Sequence, residues 1–127
     1  MKLKQKIIRW GLIIISALSF WSSGVVLVRV LNSYNVWNGG ILLASLFILS
    51  IPLVYFSIIS VEKMFRALHV DPNSSITYII ALVVLIHALM LSTYPSVYSF
   101  APSPALAAAA WLLWFGGSAM LIGRFVE

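Results

Sequence analysis

The chain lacks cysteine, has only three acidic residues, and is just 9% charged over its 127 positions. The first absence excludes disulfides, thiol redox chemistry and thiolate-bound metals or clusters, and carries no information on compartment. The second is sharper. Glu62, Asp71 and Glu127 are the only carboxylates, and none falls inside a long apolar run. Proton-coupled antiport of the small multidrug exporter kind needs an embedded acid and is disfavoured. No serine, histidine and aspartate share a depth, no glycine-rich phosphate loop occurs, and no histidines have metal-ligand spacing. Neither an enzyme nor a resident cofactor or metal is expected.

What the chain has in excess is apolar surface. Hydrophobic residues make up 62%, and the mean hydropathy is +1.06. Soluble domains carry roughly a quarter charged residues, so a single membrane domain over residues 1–127 is the expected class. A run of roughly 20 apolar residues spans the hydrocarbon core. The pattern predicts four such helices, at about residues 10–31, 41–61, 76–93 and 105–123. The first run is too long for a signal-peptide core and no clean cleavage site follows it. Pro52 is expected to kink the second helix. Beyond Val61, the stripe Val61, Met64, Phe65 and Leu68 predicts an interfacial extension to about residue 69, with Glu62 and Arg66 paired at i, i+4. Asp71-Pro72-Asn73-Ser74 breaks it.

Charge placement sets the expected orientation. Lys2, Lys4, Lys6, Arg9, Lys63, Arg66 and Arg124 fall on one side and only Arg29 near the other. Lys and Arg favour the cytoplasmic face, so both termini are expected there. The net charge of +5 is then mostly a topology signal, and no nucleic-acid partner is expected. The fold class expected is an all-α, four-transmembrane-helix bundle, N-in and C-in. Its short outer loops predict that helices 1 and 2, and helices 3 and 4, pack as antiparallel neighbours.

Two polar residues stand out as candidate functional positions. Arg29 lies near the outer end of helix 1 with no carboxylate at its depth. Its ordinary role is to snorkel or to cap carbonyls, and its sharper one is to bind an anion, a lipid headgroup or an acidic partner. His87 falls near mid-bilayer, where ionisable residues face a bundle interior or water. It reads first as a neutral histidine bonded to a serine, tyrosine or carbonyl. A proton relay, or a haem ligand made from two copies of the chain, ranks lower. Ser16, Ser19 and Ser23 read as hydroxyls that glue helices together.

Helix 4 carries a row of small residues at helical spacing: Ala105, Ala109, Gly116, Ala119 and Gly123, with Leu112 among them. In lipid such a face lets another backbone approach closely. Ala109, Gly116, Ala119 and Gly123 are therefore expected to form a helix-packing or oligomer interface, covered by helix 1 or 2 or by a second subunit. Trp111 and Trp114 point away from that row and read as lipid-facing or gap-filling bulk.

The segment from Ala88-Leu-Met-Leu-Ser-Thr-Tyr94-Pro95-Ser-Val-Tyr98 through Ala109-Ala-Trp111-Leu-Leu-Trp114-Phe-Gly-Gly resembles an uncharacterised family of small bacterial four-helix membrane proteins, and Arg29-Val-Leu is similar to that family's arginine-bearing segment. That family's pattern has an aspartate shortly before the Tyr-Pro position, where this chain has Ser92-Thr93. The resemblance implies the architecture and a bacterial cytoplasmic membrane, and no activity. The function expected is association, as a small subunit or scaffold in a membrane homo- or hetero-oligomer. The alternative is a small-molecule transporter or pore formed by an oligomer. A lipid-modifying enzyme ranks third.

Overall fold

The computed structural model describes residues 2–72, 75–98 and 102–126. Within these, the side chains at 38, 95, 102–107 and 123–126 lie outside the description. The described residues form four α-helices and no strand: α1 (Leu3–Asn32), α2 (Gly40–Ala67), α3 (Ser75–Thr93) and α4 (Pro102–Val126). Short 3₁₀ turns at Val36–Asn38 and Pro95–Val97 lie in two of the connections. Leu3–Asn32, Gly40–Ala67 and Ser75–Thr93 are each long and apolar enough to cross a membrane, and the described side chains of α4 form a shorter apolar helix, Ala108–Ile122.

The helices are longer than the apolar runs that predict them. α1 begins at Leu3 instead of Trp10, because Lys4, Gln5, Lys6 and Arg9 are good helix formers and nothing before Trp10 breaks the chain. α2 passes through Pro52 as one continuous helix and ends at Ala67, two residues short of the expected extension. The ending is a Schellman motif. His69 turns left-handed at φ 55°, its N–H bonds the Arg66 carbonyl at 3.0 Å, and the Val70 N–H bonds that of Phe65 at 2.9 Å. Val70 and Phe65, the hydrophobic pair of the motif, are both buried in one core cluster.

Of the two neighbour relations that the loops predict, α3 against α4 holds and α1 against α2 does not. α1 packs chiefly on α3, α3 on α4, and α4 on α2, while α1 and α2 hardly touch. The connection between α1 and α2 explains this. It folds inward, and Trp37 at 3% exposure packs its ring 5.8 Å from that of Trp111 on α4. Its indole N–H donates to the Val28 carbonyl at 3.0 Å. The buried indole therefore sits between α1 and α4 and tethers the start of α2 to α4.

Two core clusters close the bundle at its ends. One joins Ile13, Ala17, Val54, Ile58, Val61, Phe65, Val70, Ile76, Ile79, Ile80 and Ala119. The other joins Val28, Trp37, Tyr98, Ala108, Trp111 and Leu112. The outward faces remain apolar, with Ile15, Ile41, Leu85, Leu89, Leu113 and Leu121 exposed by 61–82%.

Candidate functional site

Along the first cluster and against Trp111 and Leu112 of the second lies a cavity of about 290 Å³. Its floor consists of buried residues of α3 and α4, among them Ile80, His87, Trp111 and Leu112. Its rim consists of Ser23 and Leu27 on α1 and of Leu53 on α2, all exposed. The mouth therefore opens sideways, between the two helices that hardly touch. Apart from Ser23, Ser57 and His87, the side chains that line it are apolar.

His87 is only 5% exposed. Its Nδ1 lies 2.6 Å from the Tyr98 hydroxyl, and the Trp21 indole N–H donates to that hydroxyl at 3.2 Å. Tyr98 is fully buried, and among the described residues no enclosed side-chain nitrogen or oxygen lacks a partner. Proton counting then fixes the roles. An indole can only donate, and a phenol has one hydrogen to give. His87 Nδ1 is the one described acceptor for that hydrogen, which in the fully buried Tyr98 would otherwise have no partner, so Tyr98 gives it to His87 Nδ1. The imidazole is therefore neutral, with its proton on Nε2. Burial pushes the Tyr98 hydroxyl above the ordinary phenol value, against the opposing pull of the Trp21 hydrogen bond, so the hydrogen stays in place at neutral pH.

Nε2 faces α1. A Cβ added at Gly24 would lie 2.9 Å from Nε2 and 3.0 Å from Cε1, so the missing side chain at Gly24 makes room for the ring. Both residues line the cavity. No described group bonds Nε2, and it is not an enclosed orphan. Its N–H is thus open to the cavity beside Gly24.

Arg29 is positioned on the last turn of α1, where its charge suits the helix C-terminus. Its Nε donates to the Val97 carbonyl and its Nη2 to the Ser96 carbonyl, the latter at 2.9 Å. The guanidinium thus grips the turn that immediately precedes Tyr98. Sequence reasoning did not connect Arg29 with His87. The structure joins them through residues 96–98.

The small row of α4 is used inside the chain. Gly116 and Ala119 are buried, and a Cβ at Gly116 would lie 2.8 Å from Val84 Cγ2. At Gly116 the covering residue comes from α3, while Ala119 joins the core cluster that includes Ile13 and Ala17 of α1 and Val54 and Ile58 of α2. Ala109 is half-buried and lines a second groove of about 320 Å³ between α3 and α4, which shares Val84, His87 and Leu112 with the first, and the surroundings of Gly123 and Ala105 lie outside the described residues. Trp111 is core, its N–H donating to the Ser50 hydroxyl at 2.6 Å. Trp114 is 45% exposed, with its N–H on the Phe47 carbonyl. Ser19 and Ser23 bond back to carbonyls four residues earlier in α1 instead of crossing to a neighbour, because the i−4 carbonyl lies within reach of any helical serine. Ser16 is buried.

Gly24, Tyr98 and Trp21 are the members of the site that the sequence reading did not single out. Tyr98 could have been found from the single proline-started turn that separates it from the end of α3, a spacing short enough to fold the phenol back over that helix. Comparison with protein families, curated proteins and solved structures returns no match for this chain.

Proposed function

We propose that this chain is a non-enzymatic, multi-pass protein of the bacterial cytoplasmic membrane, with both termini cytoplasmic, that works by association in the plane of the bilayer. The resemblance to small bacterial four-helix proteins and the clustering of Lys and Arg at one end support the membrane and the orientation. The observation that carries the function is the laterally open cavity. A cleft between two apolar helices, floored by buried side chains and lined almost wholly by apolar groups, admits a lipophilic molecule from the membrane and offers little to a polar solute. The subunit or scaffold expected from the sequence is retained in this narrower form. Its contact surface is the cleft between α1 and α2, since α3 already occupies Gly116 on the small row. Transport ranks behind, because the lining beside His87 is almost wholly apolar.

The test uses a filled cavity. Ser57 lines it from α2, and Ser57→Trp places an indole in the cleft. Protein taken from membranes in mild detergent is expected to carry about one retained lipophilic molecule per chain, measured by native mass spectrometry and organic extraction. The Ser57→Trp variant should fold and lose it. An identical retained profile in both proteins contradicts the reading.

A further inference from the structure

The donor at the end of the cavity selects among lipophilic molecules. An apolar cavity of about 150 Å³ is already large enough for benzene, and this one holds about 290 Å³. Its walls include the rings of Phe20, Trp111 and Phe115, which suit a flat ring. Its one inward-facing N–H, on His87, is a donor and calls for an acceptor. His87 stands six residues before Thr93, the last of α3, so it lies roughly 9 Å from that end at 1.5 Å per residue. Ester carbonyls of bilayer lipids stay at the boundary of the hydrocarbon core and do not reach that depth without dragging a polar headgroup after them. A ring ketone with an apolar tail has no such headgroup. Its tail can leave by the mouth between Leu27 and Leu53.

We propose that the cavity binds a membrane-soluble ring ketone of the quinone type, with one carbonyl oxygen accepting a hydrogen bond from His87 Nε2–H. Gly24 is the residue that lets the ring nitrogen meet that oxygen, and Tyr98 is a positioning residue that fixes the tautomer. This rests on the reading of the cleft as a binding site.

The experiment titrates the full-length protein in lipid nanodiscs with a short-tailed benzoquinone, following quenching of tryptophan fluorescence. It then competes the quinone with the same tail on plain benzene and with a fatty acid methyl ester. Saturable binding of one quinone per chain is expected, about two- to tenfold tighter than the hydrocarbon, the range one neutral hydrogen bond supplies. The carbonyl stretch of isotope-labelled quinone should fall on binding. His87→Phe should remove both the preference and the shift while leaving hydrocarbon binding. If that variant does not fold, the comparison of ligands on the unaltered protein still decides. Equal affinity for quinone and hydrocarbon overturns the ligand class and leaves the binding function standing. An ester that outcompetes the quinone assigns the cavity to a lipid chain and overturns the proposal. No saturable binding of any of the three overturns both the ligand class and the function on which it rests.

Discussion

At the scale of single residues, two glycines set distances that a methyl group would break, and a third does not. A Cβ at Gly116 meets Val84 Cγ2 at 2.8 Å, and a valine in a helix has one strongly preferred rotamer and cannot turn away cheaply. Gly116→Ala is expected to cost about 1–3 kcal/mol through overpacking. Gly117, with nothing within 4 Å of an added Cβ, should tolerate Ala or gain up to about 1 kcal/mol of helix propensity. Thermal unfolding in detergent, with Gly116→Ala/Val84→Ala as the rescue, checks both, and equal losses at the two glycines would contradict the packing. Tyr98 gives a pH prediction. Its folded-state pKa is raised by burial, so the stability it contributes is complete below the unfolded phenol value of about 10 and is lost as pH climbs through the higher folded value. Tyr98→Phe should remove that alkaline slope. These residues were only partly legible in sequence. The spacing of the small row marked Gly116 as a close-contact position, because helical period alone places it. It could not identify Val84 as the covering group, which depends on how helices are arranged.

At the scale of elements, the ends of the helices were the least legible part and the interiors the most. The apolar runs located four helices, because only a helix satisfies its own backbone in lipid. The stops depended on local hydrogen bonding. α2 ends through His69 in a left-handed turn that non-glycine residues adopt at a cost. His69→Gly should therefore stabilise the α2–α3 connection by about 1 kcal/mol, and an unchanged or lower unfolding temperature would count against the motif. The turn at Pro95–Val97 depends on another element, since Arg29 supplies its donors. Hydrogen bonds from a charged donor contribute roughly 1.5–3 kcal/mol each when shielded, and less at an exposed position. Arg29→Ala should speed amide hydrogen exchange over residues 94–98, and Arg29→Lys should only partly restore protection because an ammonium lacks the two-pronged geometry. Unchanged exchange in Arg29→Ala would show that the turn holds itself.

At the scale of the whole molecule, loop length placed α3 beside α4 correctly and misled for α1 and α2. Short connections predict sequential neighbours, yet α1 and α2 stand apart while α1 lies against α3 and α2 against α4. One side chain explains it. Trp37 sits in the connection and is buried against Trp111, which reads in sequence as an ordinary interfacial aromatic. That burial fixes the start of α2 against α4, on the side away from α3. Orientation is tested separately. A reporter at the C-terminus should read as cytoplasmic, in line with seven of the eight Lys and Arg residues falling on that side, and an external reading would invert the proposal.

The central claim is that the space between α1 and α2 is a binding cavity in the plane of the membrane. Photo-labelling in bilayers with a diazirine-bearing, short-tailed quinone, mapped by mass spectrometry, tests it most directly. Labels should concentrate on residues 20–27 and 53–58 and fall away when excess unlabelled quinone is present. Labelling spread evenly over Leu85, Leu113 and Leu121, which face outward, and undiminished by competitor would contradict it.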